Sequence, residues 1–277
     1  TFTFIMPANP VRVEVTYKLL VLTLYNDADN STTLTTHVGQ PANVTISGRT
    51  LYKDGSWNTL ILPFPLDRAA LEKSPLTGAT ICEVSEESKV TGTHVDLVLM
   101  DSYPYINRWG LEPGWPYFVK WDEGDDIADP TFRGVTIFEP ENPLIQYNAE
   151  STIWGIGTYS SMMMYPPEEL EEGDDLIYYL STNNQLRYTG KRRLLNAFRH
   201  AFTFTATDGS AISAGALDFT LHFDDGSTTT GIVEMDGGGT SRRTTAEGCY
   251  NLQGMKLNGT PKQKGVYVTK GKKFTVK

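Results

Sequence analysis

Six aromatic side chains, Tyr103, Tyr105, Trp109, Trp115, Tyr117 and Trp121, crowd a stretch that Pro104, Gly110, Pro113, Gly114 and Pro116 keep interrupting. A flat ring held on a loop offers a sugar much contact area at little entropic cost, because few side-chain bonds must be frozen. Trp109, Trp115 and Tyr105 stand among the chain breakers and are the candidate stacking platforms, with both tryptophan rings expected open on one concave face. Tyr117 and Trp121 alternate as strand residues do, which assigns them to a core. Core packing is the competing reading for every ring in the stretch, since large aromatics dominate cores as well as binding surfaces.

Carboxylates follow at once. Asp122, Asp125, Asp126 and Asp129 form a loop-like run that could cage calcium, because a hard cation takes six to eight oxygens from a flexible segment. The run lacks the fixed spacing of a helix-loop-helix calcium site, so a solvated acidic loop is the plainer reading. Asp122 and Asp125, being next to the aromatics, are also the acids a glycan-cleaving site would use, although any acid-rich chain contains such a pair. No other cofactor is implied. The histidines, His37, His94, His200 and His222, stand at no metal-ligand spacing, and no serine or cysteine nucleophile motif or phosphate-cradling glycine loop occurs. Cys82 and Cys249 are too far apart in sequence to suggest a zinc site or a disulfide framework.

The elements that must carry these residues read as strands. Val11, Val13, Val15 and Tyr17 share one face of an alternating run, with Arg12, Glu14, Thr16 and Lys18 on the other. Further strands are expected at 20–25, 43–47, 57–63, 95–100, 117–121, 132–137, 153–159, 176–180, 197–206 and 217–223, each bounded by turn residues. Helical periodicity is confined to Asp67–Lys73, with Asp67 as N-cap. The fold class is therefore all-β, a β-sandwich-like domain with a small C-terminal β element. Gly237, Gly238 and Gly239 open no helix and read as a linker. No apolar run is long enough to span a bilayer.

Charge divides the chain. From Arg242 onward nine Lys or Arg face the single acid Glu247, a balance of +8, against −17 for the rest of a chain whose net charge is −9. The basic residues are scattered through strands and turns, and the net negative charge speaks against nucleic acid as a partner. At this size the tail needs another surface to complete its core.

Particular phrases carry resemblances. Gly248-Cys249-Tyr250-Asn251-Leu252-Gln253-Gly254, then Lys264-Gly265-Val266-Tyr267-Val268 and the closing Val276-Lys277, resemble the C-terminal sorting tails of proteins that Bacteroidetes-type bacteria export by the type IX route. Phe2-Thr3-Phe4-Ile5-Met6-Pro7 with the strand to Tyr17 resembles the end of a Listeria-Bacteroides repeat. Blocks such as Ile46-Ser47-Gly48-Arg49-Thr50-Leu51-Tyr52, Pro116-Tyr117-Phe118-Val119-Lys120-Trp121 and Asn196-Ala197-Phe198-Arg199-His200-Ala201-Phe202 are similar to a β domain near the C-termini of large surface proteins of those bacteria. These resemblances imply residues 1–18 as terminal strands of an upstream repeat, 19–233 as the surface domain, 234–248 as linker and 249–277 as the sorting tail. They imply a non-enzymatic, exported protein on the outer cell surface or outside the cell, with an export signal upstream of Thr1. Its role would be adhesion, binding or an accessory one; its partners would be the secretion or anchoring machinery and a glycan or host protein. The alternative is a carbohydrate-binding module or part of a glycan-active enzyme.

Overall fold

The computed structural model describes residues 19–138, 143–171, 174–181, 184–210, 212 and 217–223, and beyond them the strands given below. The strand around Val11–Tyr17, the glycines 237–239 and the tail turns that the pairs Asn258-Gly259 and Lys270-Gly271 imply by their residue types lie outside the described residues. Contacts divide the chain into two units, residues 1–236 and 237–277.

The strands of the first unit begin with β1 (Leu20–Tyr25), β2 (Pro41–Ser47), β3 (Thr50–Leu51), β4 (Asn58–Leu60), β5 (Thr80–Val84), β6 (Lys89–Thr91), β7 (His94–Asp101), β8 (Tyr117–Lys120), β9 (Ile127–Ala128) and β10 (Thr131–Thr136). They continue with β11 (Leu144–Gln146), β12 (Ile153–Thr158), β13 (Met162–Met164), β14 (Tyr178–Ser181), β15 (Gln185–Thr189), β16 (Arg193–Leu195), β17 (Arg199–Phe204), β18 (Asp218–His222), β19 (Thr228–Ile232) and β20 (Glu234–Asp236). The helices are α1 (Ser31–Thr36), α2 (Arg68–Leu71) and α3 (Tyr103–Trp109). The unit is all-β, as the alternation requires.

A central sheet runs β19-β18-β7-β5-β8-β4, with β6 added beside β7. On one side of it lies the sheet β11-β12-β17-β14-β15-β20, and on the other the sheet β1-β2-β10. Strand alternation explains how one sheet serves two cores. From β8, Tyr117 and Val119 enter the core shared with β1, β2 and β10, while Phe118 enters the core shared with β12, β14, β15 and β17. Strand β5 divides in the same way, sending Ile81 to the first core and Val84 to the second. Sheets facing each other across such cores make a sandwich-like stack.

Two expectations need correction. Helix is not confined to the Asp67 region: α1 and α3 are helical, and α3 occupies part of the stretch read as an aromatic loop. Pro104 sits in its first turn, where a missing N–H costs nothing. The expected helix is present as α2, with the Ala70 N–H donating to the Asp67 carboxylate at 2.7 Å. The domain also runs past residue 233, because β20 pairs in parallel with β15 inside the stretch read as linker.

The second unit is a four-stranded antiparallel sheet of β21 (Cys249–Asn251), β22 (Lys256–Leu257), β23 (Gly265–Thr269) and β24 (Lys272–Val276), in the order β22-β21-β23-β24. The alternation of the tail predicts strands at 250–252, 255–257, 266–268 and 274–276, and these match them within a residue or two at their ends.

Candidate functional site: an aromatic cleft over the central sheet

Helix α3 leaves β7 and presents Tyr105 and Trp109 one turn apart, so both rings share a face. Ile106, beside them on the helix, is buried and anchors it. Gly110 ends it at φ +81°, donating its N–H to the Ile106 carbonyl at 2.9 Å. Leu111 then pairs with Leu66, their backbones exchanging hydrogen bonds of 2.7 and 3.0 Å. The result is a rigid exit that fixes where Trp109 stands. Tyr105 and Trp109 are 55% and 68% exposed, and the Arg108 guanidinium lies over the Trp109 ring, 5.5 Å from its centre.

Trp115 reaches the same place from the loop before β8. Its body packs on the first core, and its Nε1–H donates to Glu83 Oε2 at 2.6 Å. The expectation of an open Trp115 ring is therefore corrected: the residue is half-buried, because β5 supplies a buried carboxylate for its one polar atom. Tyr105, Trp109 and Trp115 nonetheless line one cavity of about 300 Å³, together with Glu83, Glu86, Met100, Glu112, Gln146 and Tyr147. The structure thus assembles the three sequence-predicted platforms into a single cleft.

No family model, curated protein or solved structure matches the chain. Its chemistry is read from the cleft alone.

The electrostatics of the cleft are acidic. Burial pushes the Glu83 carboxyl up, the Trp115 hydrogen bond opposes the rise, and the Glu112 charge adds to it. The Glu112 N–H donates to Tyr117 Oη at 3.0 Å, which fixes the start of the loop leading to Trp115. Tyr147 is buried, its hydroxyl has no hydrogen-bond partner, and burial raises its pKa. Carboxylates beside rings suit a ligand with both apolar faces and hydroxyl groups.

The acids predicted for catalysis or calcium stand elsewhere. Asp122 lies near Lys120 at 3.8 Å and lines a separate depression with Trp57 and Tyr103. Asp126 accepts the Lys53 N–H at 2.9 Å, and Asp129, at φ +47°, accepts the Gly48 N–H at 2.6 Å. Asp125 is exposed in the same loop. Asp126 and Asp129 tie separate turns together, and among the described residues no group of three or more His, Cys, Asp or Glu is arranged to hold a metal. The acids that do line the aromatic cleft, Glu83, Glu86 and Glu112, come from other parts of the chain. Sequence reading missed them because β5 is covered on both faces and gives no alternating signal, while Glu86 and Glu112 stand outside the strands.

The histidines also gather in a way their spacing conceals. Strand β18 pairs in parallel with β7, placing Asp218 beside His94 and Thr220 beside Asp96. His94 Nδ1–H donates to Asp218 at 2.5 Å, and Asp96 lies 3.1 Å from His222 Nε2 and 3.3 Å from His94 Nε2. The Asp218 hydrogen bond raises the His94 pKa. Among the described residues no helix is long and apolar enough to cross a membrane.

Proposed function

We propose that this chain is a non-enzymatic binding module of an exported or cell-surface protein, and that its aromatic cleft holds a neutral glycan. The observation that carries the reading is the convergence of Tyr105, Trp109 and Trp115 on one cavity beside Glu83, Glu112 and Gln146. The rings would stack on the apolar faces of pyranose units, and the carboxylates and the Gln146 amide would bond sugar hydroxyls. Three glutamates in the lining disfavour an anionic ligand. The exported setting rests on the resemblance of the tail and the repeat remnant to surface proteins. The small second unit would engage secretion or anchoring machinery.

A glycan array read with the whole protein tests the binding. Retention of a neutral oligosaccharide, lost on Trp109→Ala without loss of thermal stability, supports the module. Silence across the array removes it.

One observation favours a second reading, a glycan-active enzyme. Glu83 and Glu112 line the same cleft and interact, and Glu83 is held toward its protonated form as a general acid must be. Hydrolysis of a retained oligosaccharide, abolished by Glu83→Gln, would select it over simple binding.

A further inference from the structure

A larger cavity of about 620 Å³ lies between β4, β14, β15, β16 and β17 and shares no lining residue with the aromatic cleft. Among the described residues its lining is basic: Arg187, Arg193 and Arg199 face it, with Asp54 as the acid, whose carboxylate accepts the Ser56 N–H at 2.9 Å. Next to Arg199 stands Arg49, which is 0% exposed. Its Nη2–H donates to the carbonyl of Thr59, a cavity residue, at 2.6 Å, while its Nε and Nη1 have no partner. Among the described residues no carboxylate pairs with Arg49 or Arg199; each guanidinium is instead opposed by burial, and Arg199 adds its like charge to Arg49.

Such an arrangement is costly. A guanidinium does not give up its proton under ordinary conditions, and buried charges in folded proteins are paired or bound to counter-ions. Burial holds Arg199 down to about 10, the direction expected of a buried cation with no carboxylate beside it. The cavity is also too large for a bare ion and of a size that takes a small organic ligand. His200 lines it as well, with Nε2 at 3.0 Å from the Tyr117 carbonyl and Nδ1 without a partner. Burial keeps that ring neutral, so Nδ1 is a hydrogen-bond acceptor.

We propose that this cavity is a binding site for an oxyanion carried on a small hydroxylated ligand, such as the carboxylate of an acidic sugar, with Arg199 and Arg193 as its direct partners. Arg49 supplies a second positive charge behind Arg199. Lysines would not serve equally, because the planar fork of arginine matches a carboxylate or sulfate with paired hydrogen bonds.

Calorimetry on the whole chain at neutral pH and low salt tests the site with three probes: glucuronate, inorganic sulfate and neutral glucose. Glucuronate is expected to bind and glucose not to. Equal binding of sulfate assigns the site to the oxyanion itself, and preference for glucuronate assigns it to a hydroxy acid. Arg199→Met should weaken glucuronate at least about tenfold. It should also leave the ligand-free melting temperature at or above that of the parent, because removing an uncompensated buried charge relieves the fold, whereas a structural arginine would lower it. Arg193→Gln, at the exposed rim where the guanidinium donates to Tyr179 Oη at 3.2 Å, gives a second variant that leaves Arg49 and Arg199 in place and should weaken binding in the same direction. Glucose binding as well as glucuronate, no oxyanion binding at all, or parent-like affinity in Arg193→Gln would each overturn the assignment.

Discussion

Trp109 and Trp115 share a cleft but not a role, and substitution separates them. Trp109 is exposed, so Trp109→Ala is expected to change stability by no more than about 0.5 kcal/mol while abolishing glycan retention. Trp115→Ala removes packing from the first core and strips Glu83 of the indole N–H that donates to it. A loss of about 2 to 4 kcal/mol in urea unfolding is expected, along with the loss of binding. Equal stability losses in the two variants would contradict this division. His200 gives a pH signature of its own. Unfolded, it protonates near its ordinary 6.5; folded, burial holds it to about 4. Between those values the unfolded state binds more protons, so stability falls as pH drops through the window. The parent should lose on the order of 2 to 3 kcal/mol more than His200→Gln between pH 7 and pH 4.5. His94 works in the opposite sense: its raised pKa gives stability that is complete at acid pH and fades as pH rises through the folded value. Identical acid limbs in parent and His200→Gln would rule out the buried neutral ring.

At the scale of elements, the exit of α3 is the part on which the cleft most depends. A Cβ added to Gly110 would stand 2.4 Å from the Leu66 carbonyl oxygen and 2.9 Å from Asp67 Cα, at a φ that side chains rarely adopt. Both contacts are backbone and cannot swing away. Gly110→Ala is therefore expected to cost about 2 to 4 kcal/mol and to weaken glycan retention, because the helix carrying Tyr105 and Trp109 must shift. Parent-like melting and retention would show that the turn relaxes freely. The same element shows what a sequence yields and what it withholds. Tyr103 to Trp109 reads as a loop because Pro104 and Gly110 break chains, yet a proline in a first turn and a glycine after a last turn are helix-boundary signals. Strand β7 was legible from its alternation, His94, Asp96 and Val98 on one side and Val95, Leu97 and Leu99 on the other. Strand β5 was not, since a strand covered on both faces has no polar side to mark it. Parallel pairing of β1 with β2 and of β7 with β18 joins distant segments, and no local pattern announces it. The platforms were therefore legible as residues, while Glu83, Glu112 and the arginine pair became visible only once the strands were placed.

At the scale of the whole molecule, the boundary between the two units decides which truncations fold. The chain divides after Asp236, and β20 belongs to the first unit, pairing Glu234, Met235 and Asp236 with Arg187, Tyr188 and Thr189 of β15. A protein cut after Asp236 keeps that edge strand. It should melt within about 2 °C of the parent and retain the same ligands, since no paired strand of the first unit is lost. A cut after Ile232 removes β20 and leaves the edge of β15 open, so its melting temperature should fall by roughly 3 to 6 °C and its tendency to self-associate should rise. The two cuts bracket the expected boundary at residue 233 and separate a sheet strand from a linker. If the second unit is a sorting tail, the cut after Asp236 should yield a folded protein that fails to reach the surface of its native cell. Normal delivery of that protein would remove the sorting role. Unfolding after the cut at Asp236 would instead make the basic four-stranded sheet a structural requirement of the larger unit.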